Sequence, residues 1–209
     1  ARMMLQTLIN TYPDSEFLAR AKLALGDSWY AEGGATAMAQ AEAEYDDFIT
    51  FFPNMPEAAE AQLTIANNPF NEMEKPDRDY THAMRAEEEN RKVIQQYPDN
   101  TKMVAAAKQK LRIVQEVLAE REFRVGHFYY FEGAYPAAIA RLRSMVDTYP
   151  LYSKADEALY LLGQAYEGEI ARVQQMQAVG AKAEAEKAAM LDKLTAQATD
   201  AYSKILTRY

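Results

Sequence analysis

Histidine is the side chain best suited to move protons near neutral pH. This chain of 209 residues has two, His82 and His127, and no cysteine. Neither histidine has a second ligand at metal spacing, so no metal or cofactor is expected. The lack of cysteine removes thiolate metal sites, disulfides and cysteine nucleophiles. There is no nucleophile elbow, phosphate loop or dinucleotide fingerprint. Asp77-Arg78-Asp79 sets two carboxylates around an arginine, a poor oxygen cage for a cation, and a turn and capping role is expected instead. Glu87-Glu88-Glu89 spans adjacent helix faces and reads as a solvated run. Acid–base chemistry would rest on carboxylates that nothing gathers into a cleft, so no enzyme is expected. What remain are groups that bind. Arg141 and Arg143 read as helix-surface cations, and Tyr30 with Asp27 as candidates for a peptide groove. Trp29 and the run HFYYF, His127 to Phe131, are expected to pack in the core.

A hydrophobic content of 49% with 26% charged residues is that of a folded chain. The net charge of −8 disfavours nucleic acid and anionic membrane as partners. No apolar run approaches the roughly 20 residues that span a bilayer. The opening ARMMLQTLINTYP has no basic–apolar–small signal pattern and reads as the second half of a helix. Whether a targeting or lipid-attachment segment precedes it is left open by these residues.

The elements that position these groups come from a repeat. Aromatic–proline pairs stand at Tyr12-Pro13, Phe52-Pro53, Tyr97-Pro98 and Tyr149-Pro150. After Tyr12 and after Tyr149 the same landmarks follow: Ala21 and Ala158, Gly26 and Gly163, Trp29 and Tyr166. From Gly126, Tyr129 follows at +3, Ala138 at +12, Leu142 at +16 and Pro150 at +24. This spacing resembles the tetratricopeptide repeat, a helical hairpin of pattern G-x₂-Y…A-x₃-F…P. Small residues at Gly126 and Ala138 let two antiparallel helices approach, Val125, Tyr129, Leu142 and Met145 fill the seam, and proline ends the second helix.

The other units carry insertions. Gly26, Trp29, Ala41, Tyr45, Phe48 and Pro53 fit with three extra residues, placed in the hinge EGGATA. Ala66 to Pro98 fits with eight extra, placed in a loop NNPFNEMEKPDRDY. The last unit runs from Gly163 and Tyr166 to Ala198, Tyr202, Ile205 and Tyr209, its Ala/Glu/Lys-rich insertion lengthening both helices. Met3, Leu5 and Leu8 read as the tail of an earlier unit. Thr101 to about Phe131 holds no proline, and Leu111, Val114, Leu118 and Val125 run at helical spacing, which predicts one helix of about 45 Å. The expected fold is thus all-α, a tetratricopeptide-repeat solenoid with one long connecting helix. Its divisions are front units over 1–100, the connecting helix over 101–131 and back units over 132–209.

Three stretches carry a further resemblance: FFPNMPEA, EKPDRDYTHAMRAEEENRKVIQQYPDN and AEREFRVGHFYYFEGAYPAAIARLRSMVDTYP. In order and character they resemble the BamD family, outer-membrane protein assembly factor D, over about 51–168. The resemblance implies a lipoprotein on the periplasmic face of the bacterial outer membrane, held by an N-terminal lipidated cysteine that this chain lacks. It implies a scaffold of the β-barrel assembly machinery whose back half docks the periplasmic domains of the barrel-forming subunit. Other assembly lipoproteins and unfolded outer-membrane proteins would be further partners, the latter meeting the front groove. An arginine nine residues before the penultimate unit's proline is tied to that docking in the family, and here it is Arg141, with Arg143 beside it. The long C-terminal hairpin exceeds the family's pattern. A periplasmic adaptor coordinating envelope constriction with peptidoglycan synthesis also has Tyr-Pro-terminated repeats, but a coiled coil and more regular units. A cytoplasmic carboxylate-clamp co-chaperone needs converging cations, and Arg20, Lys22 and Lys108 are scattered.

Overall fold

The computed structural model describes residues 2–73, 75–76 and 78–208. Asp77 and Tyr209, both named above, lie outside the described residues. Among those described, the chain forms nine helices and no strand: α1 (Arg2–Thr11), α2 (Leu18–Glu32), α3 (Ala35–Phe51), α4 (Pro56–Asn71), α5 (Thr81–Gln96), α6 (Thr101–Phe131), α7 (Tyr135–Thr148), α8 (Ala155–Gln175) and α9 (Ala181–Arg208). The all-α expectation and the single long helix are both met. Two compact units divide the chain, Ala1–Val114 and Gln115–Tyr209, with the division falling inside α6.

The four aromatic–proline pairs build one turn four times. In each, the residue three places after the aromatic donates its N–H to the aromatic's carbonyl: Ser15 to Tyr12, Met55 to Phe52, Asn100 to Tyr97 and Tyr152 to Tyr149, all at 3.1 Å. Proline excludes its predecessor from the α region. Phe52, Tyr97 and Tyr149 accordingly sit at φ between −131° and −123° with ψ between 51° and 62°. Each still donates its own N–H to the last helical turn, to Phe48, Val93 and Met145. The pair therefore ends a helix, satisfies its final carbonyls and starts the next turn.

Close helix approach explains the glycines of the seam. A Cβ on Gly126 would stand 2.7 Å from Leu142 Cγ, and one on Gly26 2.8 Å from Tyr45 Cε1. Gly163 faces Tyr202 still more tightly. In the remaining unit Ala66 takes the small position, and the large facing residue is replaced by Asn90. Both are fully buried, and Asn90 donates its amide back to the Ala86 carbonyl at 2.8 Å. At the end of α6, Gly133 takes φ +70° so that its N–H and that of Ala134 close onto Tyr130 and Tyr129, a Schellman stop.

Several local expectations are corrected. The eight-residue insertion is not all loop, because Asn67 to Asn71 extend α4 with Pro69 inside it and fully buried. Asparagine breaks helices by bonding its own backbone. Here Asn67 accepts from Lys110 and Asn68 donates to Glu42 at 2.5 Å, so both side chains are engaged elsewhere. The hinge EGGATA shrinks to Gly33 and Gly34, since α3 begins at Ala35. Glu89 is not solvated: it is 7% exposed, accepts from Gln62 at 2.8 Å and pairs with Lys92 at 2.9 Å. HFYYF is not core as a block. Five consecutive residues cover more than a full helical turn, so they cannot all face one seam. His127 is exposed, Phe128 and Phe131 are 59% and 70% exposed, and Tyr129 and Tyr130 are half-buried.

The first unit carries a polar layer on α3 to α5, where Arg85 pairs with Glu42 and also bears on Asp46 and Glu89. Burial, with Glu89 and Glu42 nearby, raises the Asp46 carboxyl above its ordinary value despite the opposing Lys92. A carboxyl whose folded pKa is raised opposes folding once pH exceeds the unfolded value. Asp46→Asn is therefore expected to raise the thermal midpoint near neutrality and to lose that advantage in acid, as measured by melting across pH.

Candidate functional site

The cations of α7 look two ways. Residues two apart on a helix are about 200° apart around its axis. Arg141 turns toward α6, where its Nη1 meets Glu122 Oε2 at 3.2 Å while Arg121 holds the other oxygen at 2.6 Å. Its side chain keeps 52% exposure, so the pair steadies an outward guanidinium rather than burying it. Arg143 turns instead toward α9. The structure does not bring the two arginines together.

Arg143 lines a groove of about 130 Å³ with α7 and α9 as walls and Leu159, Leu162 and Tyr166 of α8 as floor. Asp147, Gln197, Asp200 and Lys204 complete its rim. Tyr166 is 3% exposed. Burial raises its hydroxyl's pKa, Arg143 and Lys204 draw it back, and Arg143 also hydrogen-bonds it. Lys204 pairs with Asp200 at 2.7 Å, whereas Arg143 reaches Asp147 only at 4.0 Å.

Another polar assembly fixes the Tyr149-Pro150 turn onto α6. Glu120 accepts from the Tyr152 hydroxyl, from Arg124 Nε at 2.8 Å and from Lys154 Nζ at 3.0 Å. One turn earlier, Glu116 takes both the backbone N–H of Ser153, at 3.1 Å, and its hydroxyl. The four-residue spacing of Glu116, Glu120 and Arg124 was the available sequence signal for this face, though not for its partner.

In the first unit Asp27 accepts from the Tyr45 hydroxyl at 2.8 Å. Burial, and then Asp27, push that hydroxyl's pKa up. Tyr30 is half-buried against the cluster around Tyr45, Phe48 and Ile65, leaving part of its ring outside. Trp29 packs on the same cluster, with the Arg2 guanidinium 3.8 Å over its ring. Asp79 takes the capping role expected of its loop, accepting from the Thr81 N–H at 2.9 Å and hydroxyl at 2.7 Å.

At the tip of the C-terminal hairpin, Lys187 donates to the carbonyls of Gln174 and Met176 and so closes α8, beside an apolar hollow lined by Met176, Val179 and Met190. Among the described residues no three His, Asp or Glu side chains gather in a way that could hold a metal ion. No helix among them is long and apolar enough to cross a membrane. The assembled side chains hold helices together or present charge and aromatic surface.

Comparison with known proteins gives two findings. The family described as "YfiO: Outer membrane lipoprotein" matches residues 1–191. A protein of Caulobacter vibrioides, "Outer membrane protein assembly factor BamD", is 32% identical over 155 residues, which cover 74% of this chain and 50% of that protein. The chain thus spans about half the length of this curated relative.

Proposed function

The chain belongs to the YfiO family of outer membrane lipoproteins, and from that membership we propose that it is a non-catalytic repeat scaffold in outer-membrane β-barrel protein assembly. The observation that carries this reading is the family match running through both units, with a relative named as an assembly factor. The scaffold would sit on the periplasmic face of the outer membrane, tethered by an N-terminal lipid. Its back units would dock the periplasmic domains of the barrel-forming subunit, and its front units, through Tyr30 and Asp27, would meet unfolded outer-membrane proteins. Other assembly lipoproteins complete the set of partners.

The geometry of Arg141 suits docking. Glu122 occupies one edge of the guanidinium, and an arginine offers five donors in a planar fork. A partner carboxylate can take the remaining donors in a bidentate pair while Glu122 holds the side chain in place. Ordering the cation before the partner arrives lowers the entropy lost on binding.

The test is the affinity of the chain for the purified periplasmic domains of a barrel-assembly subunit, beside Arg141→Glu and Arg141→Gln. Charge reversal is expected to weaken binding by more than about 1.4 kcal/mol, tenfold in Kd, with the neutral variant between the two. Binding that ignores both substitutions would move the site away from Arg141. A folded chain that does not bind at all would overturn the docking reading.

A further inference from the structure

We propose that the groove between α7 and α9 is a carboxylate subsite, which takes an acidic side chain of a partner polypeptide between Arg143, Lys204 and Tyr166. The proposal rests on the docking reading for the macromolecule that brings the carboxylate, though not for the site itself.

Three helices supply the donors: a guanidinium from α7, an ammonium from α9 and a phenol from the floor in α8. Both cations already bear on the same hydroxyl, so an oxygen arriving above it meets both. The floor is formed by largely buried residues, Tyr166 being 3% and Leu162 4% exposed. Charge-assisted hydrogen bonds strengthen in such a setting.

The resident carboxylates are weak competitors. Asp147 and Asp200 belong to the same helices as the cations they pair with, four residues away, and their side chains stay 62% and 59% exposed. Such exposed intrahelical pairs are weak, and at 4.0 Å that of Arg143 is long. An incoming carboxylate can bridge both cations at once, which neither aspartate does in this structure.

The rim also selects the ligand's charge. Arg143 and Lys204 are offset by Asp147 and Asp200, so the walls carry no net charge. That balance suits a monoanion that slips between the cations. A phosphate dianion loses far more hydration on entering than a monoanion does, with no excess positive charge to offset the loss. Gln197 adds an amide that can serve either the carboxylate or the backbone beside it. Arg141, facing α6, takes no part.

The experiment follows the Arg143 Nε–Hε and Gln197 side-chain resonances of the whole chain by NMR. The probe is an N-acetylated, C-amidated peptide with one central glutamate, compared with its glutamine analogue and with inorganic phosphate. Saturable shifts at both groups are expected with the glutamate peptide alone. Arg143→Gln and Lys204→Gln should each weaken it about tenfold, since each removes one of two charged donors. Tyr166→Phe, which keeps the ring, should weaken it less. The subsite is overturned by absent saturation, by equal shifts from the glutamine peptide, by tighter binding of phosphate, or by variants that bind unchanged. Peptide binding with no docking to the assembly subunit would sink the docking reading alone; docking without peptide binding would sink the subsite alone.

Discussion

Leu142→Ala is expected to cost about 3 kcal/mol of stability and to reverse the sign of a second substitution, Gly126→Ala. Leu142 is fully buried at the centre of the cluster that joins α6, α7 and α8, so truncation removes apolar contact and leaves a cavity. In the native background an alanine at 126 meets Leu142 Cγ and Cδ2 at 2.7 Å. Because Leu142 is enclosed, it cannot swing away, and overpacking of this kind costs about 1–3 kcal/mol. Alanine's better helix propensity returns only about 1 kcal/mol, so Gly126→Ala alone should destabilise. Once Leu142 is alanine the clash is gone and the propensity gain remains. Urea unfolding of the four chains measures the cycle. An equal loss from Gly126→Ala in both backgrounds would mean that the seam contact is not what requires glycine.

That pair also marks what the sequence made legible. Gly126 and Leu142 are sixteen residues apart inside one hairpin, and a repeat pattern reports such a contact because both partners recur at fixed offsets. Turns written as aromatic–proline are legible for the same reason. The α8–α9 hairpin hides more. Its insertion puts Tyr166 and Lys204 far apart in the chain, and no periodicity announces that Arg143 of α7 completes their groove. Glu89 departs from a solvated reading because a three-glutamate run looks uniform in sequence, whereas one of its three faces meets Gln62 of a neighbouring helix. Pro69 and its asparagines misled in the opposite sense. Local propensity reads them as loop, and contacts from Lys110 and Glu42 override it. Pattern alone puts Arg141 on a helix surface, but its partner Glu122 depends on how α6 and α7 face each other. Contacts between the repeat's small and apolar positions are thus written in its spacing, and contacts between polar side chains outside those positions are not.

The Tyr149-Pro150 turn gives the second large effect, through a charge that repeat logic does not require. Burial alone would raise the Glu120 carboxyl, but hydrogen bonds from Tyr152, Arg124 and Lys154, with the Lys154 charge, outweigh it and bring the pKa down to about 2 from 4.5. A carboxyl depressed in this way stabilises the fold fully above its unfolded value, and the contribution is lost as pH falls from there through the folded value. Glu120→Gln is expected to cost about 2 kcal/mol near neutrality, since it removes the acceptor from charge-assisted bonds and leaves the 4%-exposed Tyr152 with a weaker partner. The same variant should differ progressively less from the native chain as pH falls below 4.5, and little only below about pH 2, where the glutamate of the folded chain is itself neutral. Urea midpoints across this range distinguish this from a packing defect, which would persist in acid. Asp46 supplies the opposite control: its carboxyl is raised, so its removal helps where the removal of Glu120 harms. A chain in which both substitutions shifted stability the same way near neutrality would contradict the environments assigned to them. If the signs divide as expected, Glu120 is the charge that ties the α7–α8 turn to α6, and so sets the wall on which Arg141 and Arg143 are carried.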